Sequence, residues 1–220
     1  MRTNYLVATS LGMFGSMAIA YPIHAFSFIS DFTSSNWLSS GDVLRSPTQA
    51  SLSNATIANG DNDSTNLNFS GTNPTSAAGA LQAFLGVSNI SLDLGGEAQE
   101  GSAIKQTFMA AAGDILSFNL TIPNFDSDNT DLIFVLLNGN FTTFSSTLPF
   151  NSGALLAGSN TIAIGVVDID DFIVSSQVEV SNIAFTPVPF EFSPVIGVSM
   201  LGTIFGLNYL RKKRKPKSKD

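Results

Sequence analysis

The stretch Asp131-Leu-Ile-Phe-Val-Leu-Leu137, followed by Asn138-Gly139 and then Asn140-Phe-Thr-Thr-Phe-Ser-Ser-Thr147, decides the fold. The first part is apolar after Asp131, without polar alternation. That texture suits a central strand buried on both faces. Asn138-Gly139 is the strongest hairpin signal in the chain, because both residues accept the positive φ of a type I′ turn. Residues 141–147 then read as the returning strand.

Upstream, residues 115–122 alternate, with Leu116, Phe118, Leu120 and Ile122 pointing inward and Pro123 as the stop. Ala112-Gly113-Asp114 reads as a turn. Residues 103–110 place Ile104, Gln106 and Phe108 on one face. The single helical pattern is 77–87, where Leu81, Phe84 and Leu85 share a face and Gly86 ends the run. Residues 49–58 read as a strand carrying Leu52, Ala55 and Ile57. Gly41-Asp42 marks a turn before Val43-Leu44. Residues 26–33 carry Phe26, Phe28 and Phe32, alternate at first, and lead to Trp37. Downstream, 161–168 and 173–185 give two more strands, with Val178, Val180 and Ile183 as core candidates. Polar loops fall at 59–74 and 124–130. Many short strands separated by turn residues predict an all-β domain, a β-sandwich of jelly-roll type with one short helix.

Two segments stand outside this pattern. Residues 1–25 carry Arg2, an uncharged run from Tyr5 to Ala20, and Ile23-His24-Ala25. They read as a signal peptide cut after Ala25 by signal peptidase, with Ala18-Ile-Ala20 as second choice. Residues 195–210 are apolar and uncharged. Sixteen residues give a helix of roughly 24 Å, which flanking aromatics and long basic side chains extend toward a bilayer core of about 30 Å. Arg211, Lys212, Lys213, Arg214 and Lys215 follow as a stop-transfer cluster that stays cytoplasmic and leaves the preceding domain outside. The organisation is therefore leader 1–25, exoplasmic domain 26–186, and tail 187–220. The tail divides into a motif at 188–194, a transmembrane helix at 195–210 and a basic end at 211–220.

The motif reads Val188-Pro189-Phe190-Glu191-Phe192-Ser193-Pro194. Short Pro/Glu motif, apolar span and basic end together resemble the PEP-CTERM sorting signal of exported bacterial proteins. The match is closer to the P-F-E-F-S-P variant of cyanobacterial members than to V-P-E-P. The resemblance implies an exosortase-type membrane enzyme as partner, removal of the tail, and residence at the cell surface or in secreted material. Residues 100–118, from Glu100-Gly-Ser-Ala-Ile-Lys-Gln-Thr-Phe through Ala112-Gly-Asp-Ile-Leu-Ser-Phe118, also look like a recurring passage of exported PEP-CTERM proteins. Segments 80–85 and 165–176 fit the same pattern. That family's folds resemble carbohydrate-binding jelly rolls. The resemblance implies the jelly-roll architecture, in a family mostly without known activity, and supplies no catalytic residue.

The whole chain has a formal charge of −7, which hides a split. Residues 26–193 contain two cations, Arg45 and Lys105, against sixteen carboxylates, hence −14. Such a domain repels nucleic acid and anionic lipid. There is no cysteine, and the one histidine, His24, lies in the leader. Thiolate nucleophiles, Ser-His-Asp triads and zinc or copper sites are excluded from the domain. Paired carboxylates or oxygen ligands remain. Asp61 and Asp63 alternate with Asn and Thr on one loop; Asp126, Asp128 and Asp131 do so on another. Neither run has the Gly and Glu positions of an EF-hand. The spacing favours solvated acidic loops. Calcium is the alternative, with these five aspartates as its ligands. Asp168, Asp170 and Asp171 read as a turn. Trp37 is either core or a platform for a sugar ring. The Asn-x-Ser/Thr triplets beginning at Asn54, Asn68 and Asn119 read as polar surface.

A non-enzymatic exported surface or matrix protein is the first expectation. A calcium-dependent carbohydrate-binding module, or a carboxylate-dependent glycan hydrolase, is the alternative.

Overall fold

The computed structural model describes residues 28–57, 67–126, 131–170, 172 and 174–188. The expected signal peptide, the transmembrane helix at 195–210 and the basic tail lie outside the described residues. Eleven strands and one helix are described: β1 (Leu38–Ser40), β2 (Asp42–Arg45), β3 (Gln49–Ser53), β4 (Thr75–Ser76), α1 (Ala80–Leu85), β5 (Ala98–Ala110), β6 (Ile115–Asn124), β7 (Leu132–Leu137), β8 (Asn140–Phe144), β9 (Leu148–Asn151), β10 (Gly158–Ile169) and β11 (Gln177–Thr186). They form two antiparallel sheets packed as a β-sandwich.

One sheet runs β1-β5-β10-β7-β8, with β4 also pairing on β5. β1 pairs at Ala103–Lys105 and β4 at Glu100 and Gly101, so the two short strands share one edge of β5. The Ser40 and Thr75 hydroxyls bond across their junction at 2.8 Å. The other sheet runs β2-β3-β11-β6-β9.

The apolar run of β7 is explained by two cores. Its inward residues Ile133 and Val135 join Ile104, Phe108, Ile162 and Ile164 against Leu52, Leu116, Phe118, Val178 and Val180 of the facing sheet. Its outward residues Phe134 and Leu136 join Ala163 and Val167 beneath Ala77, Leu81, Leu85 and Leu92. The short helix and its flanks thus cover a face that a two-layer sandwich alone would leave wet. Gln82 enters this second core and is satisfied there. Its side chain accepts from the Gly79 N–H at 2.9 Å and donates to the carbonyls of Ala77 and Asn89.

Several expectations need correction. Of the alternating segment 26–33, the described part, 28–33, forms no strand. Phe28, Phe32 and Trp37 instead plug the core, and the Gln106 amide takes the backbone pairing at Ile29, accepting from N–H and donating to C=O at 2.9 Å each. β6 runs through Pro123 to Asn124 because the register against β11 shifts there, where a missing N–H is tolerated. β3 ends at Ser53, and Ile57 is exposed. The expected strand at 141–147 is shorter: β8 returns beside β7 and ends at Phe144, and beyond 147 the chain crosses to the other sheet as β9. The helix is six residues long, not the whole of 77–87. β11 changes register between Ser181 and Ala184, where Asn182 has φ 54°. That bulge lets Val178, Val180 and Ile183 all meet the core despite mixed parity.

Candidate functional site

The strands define two ends. At one, β5 and β6 are joined by the 111–114 turn and β11 finishes at Thr186. At the other, β3 and β6 finish, β7 and β11 start, and β10 ends at Ile169. The second end holds a buried polar cluster. Asn54, just past β3, donates to Asp131 Oδ2 at 2.8 Å and accepts from the Ser176 N–H at 2.6 Å. The Ile169 N–H donates to Asp131 Oδ1 at 3.3 Å. The Ser176 hydroxyl accepts from the Asp126 N–H at 2.9 Å, and Asn124 donates to the Ser175 carbonyl at 2.5 Å.

Asp131 and Asp126 are each 3% exposed. Burial pushes the Asp131 carboxyl up to about 6; Ser176, Asn54 and the Ile169 N–H oppose the shift, and the Asp126 charge adds to it. The reason is desolvation of a carboxylate facing a like charge. Of the five aspartates read as calcium ligands, the fold brings Asp126 and Asp131 together. Asp61, Asp63 and Asp128 lie outside the described residues. Among the described residues, no group of three or more His, Cys, Asp or Glu is arranged to hold a metal ion.

Asp42 and Asp170 have structural partners. Asp42 is fully buried and accepts from the Ser53 and Ser70 hydroxyls and from the Phe69 and Ser70 N–H groups. It fastens the returning loop to β2. Asp170 accepts from the Glu97 N–H at 2.7 Å, and its own N–H donates to the Glu97 carbonyl. Of the expected turn, Asp168 instead lies within β10 at its register shift, Asp170 forms the bend just past the strand with φ 66°, and Asp171 lies outside the described residues. Trp37 is 1% exposed, donates from Nε1 to the Ile29 carbonyl and packs on Phe28 and Phe32. It is a core residue and offers no exposed ring face to a sugar.

Sequence reasoning missed Asn54 and Ser176. Asn54 is fully buried, not surface. The local signal for it, an Asn at the end of a strand, is too common to single it out. Of the motif Val188, Pro189, Phe190, Glu191, Phe192, Ser193 and Pro194, only Val188 is described. Its N–H donates to Asp114 Oδ1 at 2.9 Å. Arg211, Lys212, Lys213, Arg214 and Lys215 lie outside the described residues. Among those described, no helix is long and apolar enough to cross a membrane.

No protein-family profile and no curated protein matches the chain. Among solved structures, a family 35 carbohydrate binding module from Clostridium thermocellum is 16% identical, with 36% of this chain and 69% of that one covered at a TM-score of 0.23. A second family 35 module, from an environmental isolate, is 17% identical, with 40% and 73% covered and a TM-score of 0.25.

Proposed function

We propose that this chain is a non-enzymatic exported protein, delivered by residues 1–25 and held, then sorted, through residues 187–220 by an exosortase-type enzyme. Its place is the cell surface or the extracellular matrix, in contact with polysaccharide. The β-sandwich 26–186 is the functional body. Within its two sheets, the four-strand runs β3-β11-β6-β9 and β5-β10-β7-β8 exchange along the chain in an order that supports a jelly-roll reading.

One observation carries the proposal beyond the sequence layout. The described chain begins and finishes at the same end. The Phe28 ring stacks on Phe185 with centroids 5.6 Å apart, and Val188 is fastened to the 111–114 turn. A leader and an anchor attached there leave the opposite end unobstructed. Deleting residues 187–220 tests the reading. The truncated protein is expected in the medium, with the membrane and surface pool lost. An unchanged distribution removes the sorting role of the tail.

A second reading, calcium-dependent carbohydrate binding, is favoured by the closeness of Asp126 and Asp131, since a divalent cation would stabilise the charge of a carboxylate that burial, and to a lesser extent the Asp126 charge, disfavours. Calorimetry with calcium, followed by a glycan array with and without it, tests this; no heat and no bound glycan leaves the structural reading alone. Hydrolysis needs two carboxylates flanking an open cleft. The burial of both aspartates supports leaving it aside.

A further inference from the structure

We infer that the sandwich stands upright on the bilayer, with the end formed by the 111–114 turn, the 152–157 loop and Val188 against the lipid headgroups and the Asp126–Asp131 end presented outward. This rests on the proposed membrane anchor and adds a direction to it.

The first argument is reach. Asp114 acts as a two-pronged clip: Oδ2 accepts from the Ala111 N–H at 2.6 Å and Oδ1 from the Val188 N–H at 2.9 Å. Val188 lies so close to Gly113 that a Cβ there would come within 2.8 Å of it. The chain is therefore fixed to the body up to Val188, and six residues, 189–194, separate it from the apolar run. Fully extended they span at most about 20 Å. The ten residues of β11 set the two ends roughly 33 Å apart. An inverted domain would need a tether longer than the chain provides.

The second argument is charge, and it acts against lying sideways. The outward end carries Glu97 and Asp170 at its surface, with Asp126, Asp131 and Asp168 buried beneath, and neither cation is there. Lys105 sits mid-strand in β5, and Arg45 pairs with Ala50. Phosphate-bearing headgroups repel such an end within a screening length of about 8–10 Å. Standing upright places it well beyond that range. The lipid-facing end instead offers exposed Leu156 and Val188, with the Asp114 carboxylate buried.

The chain has no cysteine, so single labels are unambiguous. In the full-length protein reconstituted into phosphatidylglycerol-containing vesicles, a fluorophore at Leu156→Cys is compared with one at Phe172→Cys. Both positions are exposed. Ala157→Cys repeats the lipid-side measurement should the first variant fold poorly. Nitroxide-headgroup lipid is expected to quench the label at 156 several-fold more than that at 172. Equal or reversed quenching, with the protein resisting alkaline extraction, overturns the orientation and leaves the anchor standing. Extraction of the protein by alkali overturns the anchor, and the orientation with it.

Discussion

Gly101 and Gly165 show how tightly single positions are constrained. A Cβ on Gly101 would lie 2.3 Å from the Val166 carbonyl oxygen, and one on Gly165 would lie 2.5 Å from the Phe134 ring. Neither neighbour can withdraw without opening the β5-β10-β7 centre. Alanine at either site is expected to destabilise the domain by about 2–3 kcal/mol in urea unfolding. Alanine at Gly153, whose added Cβ meets nothing, should cost less, and that cost would be backbone strain at φ 65°. Asp131 sets a pH dependence. Its folded-state value is about 6 against an ordinary 3.8, so between those values the folded protein holds more protons than the unfolded one. Stability contributed at this site therefore falls as pH rises from about 4 to about 6 and levels off above, by at most about 3 kcal/mol. The difference between wild type and Asp131→Asn, followed by urea midpoint across that range, should carry this slope. A difference independent of pH would remove the burial argument.

Among the elements, α1 matters beyond its six residues, because its flanks and Leu81 cap the outer face of a sheet whose β7 has no polar side. Leu81→Ala is expected to lose about 2–5 kcal/mol and to expose that face to a hydrophobic dye. The apolar texture of 131–137 made double burial legible in the sequence, since a strand with one wet face would alternate. The alternation of 115–122 fixed its inward residues for the same reason. What could not be read was long-range. Nothing local shows that Gln106 would replace a strand pairing at Ile29, or that a register shift would admit Pro123. The candidate cluster followed the same rule. Asp126 and Asp131 were visible as a loop pattern, whereas Asn54 and Ser176 reach them from distant parts of the sequence and carry no motif.

At the scale of the whole molecule, charge and chain direction organise the account. The sequence layout puts an acidic body between a leader and an apolar run with a basic end, and the fold gathers the beginning and finish of the described chain at one end. The intact mass of the protein recovered after cell fractionation tests this most directly. The account predicts a surface or extracellular species that begins at Phe26 and lacks the basic end 211–220. A full-length chain of 220 residues recovered from the cytosol would contradict it.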